Sequence, residues 1–481
     1  MKKLSLIITL LSFTFLSAQS PDTLWTKTYG GIDWEIGYEV LETSDGGYII
    51  AGLTNSFGAG ANDIYLIKTD ANGDTIWTRT YGSPGNESAY SVFETSDGGY
   101  VIAGKKTEAG QSYSDAYIIK TNSSGDTLWT RTYGNGNTDE INSIIQTEGD
   151  DYYIMLGNTR SFGPGNSSIY FLEVSPAADS VWEDYFGGNA NDYGQEIIET
   201  NDGYVFIGSS ANFGAGSFDA WIVSIDWEYN ILWSQTIGGD QSDDGYSIQQ
   251  TTNNDFIGAG RTSSFGPGDF SFLIFRLNSI GDSLWVKVYG GTERDECKSI
   301  RQSNDGGFIA AGSTNSFGSG NRDWYIVRTD ANGDSIWTKT LGGVADDECH
   351  SVIPTSDGGY ILSGSTKSFG AGGADVWLVK LAPDPTSINE KHTVTNFSLS
   401  QNYPNPFNPT TKISFTIAES GFTSLKVYDV LGNEVANLIS EEKPAGEYEF
   451  DFNGSDLTSG IYFYQLKTGN YIETKKMVLI K

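Results

Sequence analysis

Seven tryptophans, Trp25, Trp77, Trp129, Trp182, Trp233, Trp285 and Trp337, recur at steps of 52, 52, 53, 51, 52 and 52 residues. A fixed period of this size means that one supersecondary unit is copied and stacked, as in a propeller, a solenoid or an array. Two further marks keep the same period. One is Ser44-Asp-Gly-Gly-Tyr48, repeated at Ser96 to Tyr100, Asn201 to Tyr204, Asn304 to Phe308 and Ser356 to Tyr360, with weaker copies at Gly149 to Tyr152 and Asn253 to Phe256. The other is Ser56-Phe-Gly-Ala-Gly60, repeated at Ser161, Asn212, Ser264, Ser316 and Ser368 and degenerate near Glu108 to Gly110.

Within one unit, four runs read as strands: Ala89 to Thr95, Tyr100 to Gly104, Ala116 to Thr121 and Thr127 to Tyr133. Each is rich in β-branched or aromatic residues and bounded by Gly, Asp, Asn or Ser. Four strands in a unit of about 52 residues make a propeller blade. The runner-up is a linear array, whose repeat number is not fixed by closure. The frame favours a ring, because the repeats begin with a lone tryptophan strand, Asp22 to Gly30, and stop after a third strand, Val376 to Leu381. The seventh blade is then completed from the N-terminus, which removes an open sheet edge. The expected fold is all-β: a seven-bladed β-propeller over residues 19–381, with four-stranded blades and one-plus-three closure. Its blade order, with the tryptophan strand outermost, resembles that of pyrroloquinoline-quinone-type propellers. The cofactor constellation of those dehydrogenases and a Cys-x-x-Cys-His haem site are both missing from the sequence.

The chain opens with Lys2 and Lys3, an apolar run from Leu4 to Leu16 and a small-residue exit at Ser17-Ala18, which reads as a signal peptide over residues 1–18. No later run reaches the roughly 20 apolar residues of a membrane helix, so the mature protein is expected to lack a transmembrane segment and to be a monomeric propeller. Removing residues 1–18 takes away two lysines and no acid, moving the net charge from -32 to -34. From Asn396 onward seven Lys face ten Asp or Glu, which leaves about -31 on the repeats. Such a field repels nucleic acid and anionic membranes.

The most regular chemistry is an acid near the start of every first strand: Glu35, Glu87, Asp139, Asp192, Asp243, Asp295 and Asp347. Alternate loops of a propeller gather on opposite faces, and these seven belong to the face of the inter-blade loops. One reading is a rim at the channel mouth that binds glycan, protein or a hard cation, with Trp34 beside Glu35 as a stacking surface. The other is that each acid caps backbone N–H groups and fixes its own loop. Asp63, Asp115, Asp219, Asp323 and Asp375, which open third strands, read as structural. The turn Asp70-Ala-Asn-Gly-Asp74 is hairpin chemistry and also resembles half of a calcium loop, although its copies at Ser175 and Asn278 lose oxygen ligands. Calcium is the one candidate cofactor, and no other metal site is expected.

Cys297 and Cys349, the only cysteines, occupy the same position in adjacent units. A cross-blade disulfide requires a Cα separation below about 7 Å; two buried thiols are the other reading. His350 follows Cys349, but neighbours on a strand point to opposite faces, which argues against a Cys-His nucleophile. The expected function is therefore a non-catalytic binding or scaffold module using the acidic loop face. The alternative is a secreted carbohydrate-active or other hydrolytic enzyme using carboxylates there, which needs two acids in unlike environments.

After Leu381 the repeat marks stop. Residues 382–396 read as a Pro- and Thr-containing linker, and residues 397–481 as a small immunoglobulin-like sandwich, with alternating runs at Lys412 to Ile417, Ser424 to Asp429, Gly446 to Phe452, Gly460 to Lys467 and Glu473 to Ile480. This segment carries Asn402 to Thr411, with Tyr403, Pro404, Asn405, Pro406, Phe407, Asn408 and Pro409. It also carries Val427 to Gly432, Leu457 to Tyr462 around Gly460, and a terminal run from Lys475 and Lys476 to Lys481. In these four motifs it resembles the C-terminal sorting domain (type A) of the type IX secretion system of Bacteroidota. The resemblance implies passage through the periplasm and export to the cell surface or medium, with the secretion machinery as partner. It also implies that the domain is open to removal by cleavage in the preceding linker.

Overall fold

Runs such as Tyr48–Thr54 and Asp63–Thr69 are buried along their whole length, the signature of strands covered on both faces. The computed structural model describes residues 19–147, 149, 151–385, 397–418, 421–443, 446–469 and 471–481. The signal peptide, and the linker from residue 386 on, lie outside those residues. The chain divides into two compact units, one ending at Pro385 and one beginning at Thr386.

In the first unit, Glu35–Glu42, Tyr48–Thr54, Asp63–Thr69 and Thr75–Tyr81 pair in sequence order as an antiparallel sheet, which we call blade 1. Five further four-stranded sheets repeat that order up to Leu341. Blade 7 consists of Asp347–Pro354, Tyr360–Thr366, Asp375–Leu381 and, as its outer strand, Thr23–Tyr29 from the N-terminus. The ring is thus closed one-plus-three, as the frame of the repeat predicts.

Packing follows from the period-2 alternation of the middle strands. In blade 1, Ile49 and Ala51 pack with Ala89, Tyr100 and Ile102 of blade 2, whereas Tyr48 and Ile50 pack with Ile361 and Leu378 of blade 7. Each junction therefore has its own apolar core. The repeat marks meet there too: Trp25 lies 6.0 Å from Tyr48 of the next blade, Trp77 6.0 Å from Tyr100, and Trp337 6.3 Å from Tyr360. Trp182 departs from the pattern and stacks on Tyr229 at 5.3 Å.

Every innermost strand carries a bulge. The register slips between Gly37 and Glu39 in blade 1, and at the equivalent point in all seven blades. Opposite the slip stands a glycine of the second strand, Gly52 in blade 1 and Gly104, Gly157, Gly208, Gly260, Gly312 and Gly364 in the others. A methyl group at any of them would overlap the first strand's carbonyl oxygen. The extra residue of a bulge re-aims the side chains that follow it, and this decides what faces the channel.

The residues just after the last blade strand are fastened to the propeller. Asp384 accepts hydrogen bonds from Arg328 Nε (2.7 Å), Tyr360 OH (2.7 Å) and Trp337 Nε1 (2.8 Å). Trp337 is accordingly buried, while the equivalent Trp182 is exposed. Ala382 to Asp384, assigned from sequence to the linker, belong to the propeller's edge.

The second unit is a two-sheet sandwich. Ser398–Leu399, Thr410–Ile417 and Gly446–Asn453 form one sheet; Glu434–Lys443, Gly421–Tyr428, Gly460–Thr468 and Tyr471–Leu479 form the other. Phe407, Ile413, Phe415, Leu425, Val427, Tyr464 and Met477 fill its core. Among the described residues no helix is long and apolar enough to cross a membrane.

Candidate functional site

The seven first-position acids are all buried, and none lines the channel. Asp347 accepts hydrogen bonds from Thr366 Oγ1 (2.5 Å), Ser368 Oγ (2.7 Å) and Gly343 N (2.8 Å). Asp139 is held by Thr159 Oγ1 (2.5 Å) and Ser161 Oγ (2.6 Å), and Glu35 by Thr54 Oγ1 (2.7 Å) and Gly31 N (2.8 Å). Asp192, Asp243 and Asp295 repeat the arrangement with Asn212, Ser264 and Ser316. Glu87 instead accepts from Ser83 Oγ at 2.6 Å. The acidic rim expected at the mouth is therefore corrected: these carboxylates are buried and tie down loops of their own face, the Ser-Phe-Gly-type loops in six blades and the inter-blade loop at Ser83 in the case of Glu87. Trp34 is half exposed on that face, with Lys367 Nζ 4.8 Å from its ring centre, and it too lies off the channel wall.

Nor do the cysteines bridge. Both are free and buried. Cys297 Sγ points to Ser299 O (3.6 Å) and Ala311 O (3.7 Å), and Cys349 Sγ to Ser351 O and Ser363 O (3.7 Å each), all within their own blades. Burial pushes the Cys297 thiol up to about 12, so it stays protonated and inert. At the calcium-like turn, Asp70 Oδ1 accepts from Asn72 N (2.9 Å) and Asp74 N (2.8 Å), an Asx turn built on its own backbone. Among the described residues, no three His, Cys, Asp or Glu side chains converge as metal ligands would.

The channel wall is made by other positions. Counted from its acid, the fourth residue of each first strand, the bulged one, is Tyr38, Tyr90, Asn142, Gln195, Tyr246, Lys298 and His350 around the ring, and all seven line a cavity of about 600 Å³. The fifth residues form a belt below them. Each accepts a hydrogen bond from the sixth backbone N–H of the next blade: Glu39 from Val92 (2.7 Å), Ser91 from Ile144 (3.2 Å), Ser143 from Ile197 (3.2 Å) and Glu196 from Ile248 (2.7 Å). Ser247 accepts from Ile300 (3.2 Å), Ser299 from Val352 (3.2 Å) and Ser351 from Val40 (3.4 Å), which closes the circle. Beyond the belt a second chamber of about 260 Å³ has apolar walls at Leu41, Phe93, Ile145 and Ile198.

Two carboxylates in the belt replace the serines of the other blades. Glu196 is ion-paired to Arg301 Nη2 at 2.7 Å. Glu39 has no such partner among the described residues, and burial, outweighing its hydrogen bond from Val92 and the attraction of Arg301, raises its pKa to about 7. The folded state thus holds a proton on Glu39 between about pH 4.5 and pH 7, where the unfolded chain does not. Its contribution to stability is full below that window and is lost as pH rises through 7. Glu39→Gln keeps an acceptor for Val92 N and removes the buried charge. The variant is expected to match the parent at pH 4.5 and to gain ~1–3 kcal/mol at pH 8 in denaturant titrations; equal gains at both pH values would refute a charged origin.

The most asymmetric sector spans blades 5 to 7. Glu296 is met by Arg261 Nη1 (3.1 Å), Lys298 Nζ (3.2 Å), Arg322 Nη2 (3.8 Å) and Arg294 Nε. Burial alone would raise its pKa, but Lys298, Arg261 and Arg294 outweigh it and hold the carboxyl near 2. Arg261 Nε also pairs with Asp244 (2.8 Å) and Arg322 Nη1 with Glu348 (2.8 Å). Burial, with Lys298 and Arg322 nearby, lowers His350 to about 4, so its imidazole is neutral at pH 7. His350 was visible in the sequence only as a neighbour of Cys349, and the cations Arg261, Arg294, Lys298 and Arg322 did not stand out. The available signal was the fourth column itself, where the chemistry runs from Tyr through Asn and Gln to Lys and His.

Comparison with known proteins bears on both units. Residues 401–481 match the family of secretion system C-terminal sorting domains. The second unit is therefore a type IX secretion sorting domain, and the protein is a β-propeller exported by that system to the outer surface or medium. A curated relative, the regulatory protein FlaEY of Caulobacter vibrioides, is 25% identical over 209 residues, a match covering 38% of this chain and only 22% of FlaEY. Among solved structures, PorZ, a surface component of the type IX secretion system of Porphyromonas gingivalis, is 13% identical with a TM-score of 0.42, over 94% of this chain and 60% of PorZ. A protein of unknown function from Dyadobacter fermentans is 9% identical with a TM-score of 0.43, over 76% of this chain and all of that one.

Proposed function

We propose that this exported propeller is a non-catalytic binding module that takes a polar ligand at the loop-side mouth of its channel. One observation carries the reading: the fourth-position residues of the inner strands, from Tyr38 to His350, differ in chemistry around the ring and open into a cavity of about 600 Å³. That volume lies within the roughly 300–1,000 Å³ typical of ligand sites. Sites for specific ligands sit where loops and side chains depart from the scaffold's regularity. The carboxylates closest to an acid and base pair, Glu39 and Glu196, are both held as acceptors in the inter-blade belt, which favours binding over hydrolysis.

The test is a glycan array probed with the mature protein and two variants. Gln195→Trp, which fills the channel, is expected to abolish binding, and Trp34→Ala on the outer loop face to leave it intact. The reverse pattern would move the site to the loop face and sink the channel reading.

A further inference from the structure

We infer that the channel selects an anionic ligand, a sugar acid or short acidic saccharide, whose carboxylate is received by Arg294, Lys298, Arg322 and Arg261. This rests on the channel being the binding site.

The chain has 29 Lys and Arg against 61 Asp and Glu, yet four of those cations converge in one sector of the channel. Three carboxylates face them, Asp244, Glu296 and Glu348, one fewer than the cations, with burial lowering the pKa of Lys298 and leaving Arg261, Arg294 and Arg322 as the permanent charges. His350 adds none at pH 7. The cations are also fixed in place by aromatic rings. Lys298 Nζ lies 3.7 Å from the ring centre of Tyr246, and the guanidinium carbons of Arg261 and Arg294 lie 4.3 and 5.0 Å from that of Phe270. Such stacking sets the planar forks in advance and lowers the ordering cost of receiving a carboxylate. Arg294 is the open member: its side chain is 39% exposed and meets Glu296 through Nε, and its terminal nitrogens have no protein partner among the described residues.

Across the cavity the chemistry changes to that which suits hydroxyl groups. Tyr38 sits between Tyr90 and His350, with ring centres 5.2 and 5.1 Å away, and presents an aromatic surface to the channel. Gln195 lines the same wall, and its amide makes no hydrogen bond within the described residues. A carboxylate at one end and a polyol at the other describe an acidic sugar. A neutral sugar would offer no carboxylate to the terminal nitrogens of Arg294, which meets Glu296 only through Nε. A hydrophobic anion would leave the Gln195 amide without a partner.

The test uses trigalacturonic acid, its neutral methyl ester and inorganic sulfate as probes of the mature full chain, read by titration calorimetry. Trigalacturonate is expected to bind, its ester at least tenfold more weakly, and sulfate to compete. Arg294→Gln, whose only ion pair among the described residues is with Glu296, is expected to weaken trigalacturonate by about ten- to a hundredfold, the scale of one charge-assisted contact, with the melting temperature unchanged. Lys298→Gln serves as a second variant with the same expected direction. No binding of trigalacturonate at millimolar concentration, equal binding of the ester, binding of sulfate alone, or full affinity in both variants would each overturn the inference. Loss of charge preference with binding still blocked by Gln195→Trp would leave the channel reading standing. Binding of trigalacturonate that survives Gln195→Trp would remove both.

Discussion

Deleting residues 19–30 is expected to cost the propeller about half its stability or more, although the deletion removes no residue of the channel. Thr23–Tyr29 is the outer strand of blade 7, paired antiparallel with Asp375–Leu381 from Thr23 opposite Leu381 to Tyr29 opposite Val376. Six cross-strand pairs at roughly 0.2–1 kcal/mol each, with about 1.5–3 kcal/mol for the buried Tyr29 ring, amount to on the order of 3–9 kcal/mol. A domain has only about 5–15 kcal/mol in total. Three ties beyond the sheet are lost as well: Tyr29 OH to Gly73 O (2.5 Å), Ala382 N to Asp22 O (2.9 Å) and Lys339 Nζ to Pro21 O (3.0 Å). Asp375–Leu381, now buried throughout, would become a bare sheet edge and a template for aggregation. Denaturant unfolding of the deleted chain beside the parent measures the effect. An unchanged midpoint would show that the belt from Glu39 to Ser351 alone closes the ring.

That closure was legible because the marks in the sequence repeat one physical task from blade to blade, the tryptophan doing so in six of the seven. The tryptophan of one blade and the aromatic residue after the Asp-Gly-Gly turn of the next touch across the junction, as Trp77 and Trp285 do with Tyr100 and Phe308. Periodicity alone therefore reveals both the blade and its frame. The direction of the first-position acids was not legible. Strict alternation places residues 35, 37 and 39 on one face of their strand, but the bulge opposite Gly52 turns the wall over between the fourth and fifth residues. Tyr38 and Glu39 both reach the channel, and Glu35 does not. The cationic sector was hidden for a different reason. Arg261 comes from the second strand of blade 5, Arg294 and Arg322 from loops of blade 6, and His350 from blade 7; along the chain they look like scattered solvated charges. Only the ring brings them together. The cysteines illustrate the same limit, since equal positions in neighbouring blades suggest a bridge, while the fold turns each thiol toward the carbonyls of its own sheet.

Ending the chain at Pro385 is expected to leave the propeller folded and to hold it in the periplasm, with surface signal reduced at least tenfold to background. Each unit has its own core, so removing the second exposes none of the inter-blade clusters of the first. The sorting unit separates motif residues that are buried in its fold from motif residues that are exposed. Phe407 is buried, its N–H donating to Val478 O (2.9 Å) and its carbonyl accepting from Ile480 N (3.0 Å), so the motif is clipped to the last strand. Asn402 is buried as well, donating to Thr411 Oγ1 at 2.9 Å, and Asn405 Oδ1 accepts from Val478 N at 2.9 Å. Tyr403 and Leu431 are 81% and 84% exposed, and Pro404, Pro406, Asn408, Gly432 and Lys476 are exposed as well. Large exposed apolar groups are the features an interaction surface would use, and Tyr403 is the one tested below. Phe407→Ala is thus expected to destabilise the sorting unit by about 3–5 kcal/mol and to block export through unfolding. Tyr403→Ala is expected to block export with the domain still folded. Fractionation, with surface protease sensitivity as the readout and circular dichroism of the purified chain as the folding control, separates the two. Normal surface delivery of the chain ending at Pro385 would mean that the address lies in the propeller instead.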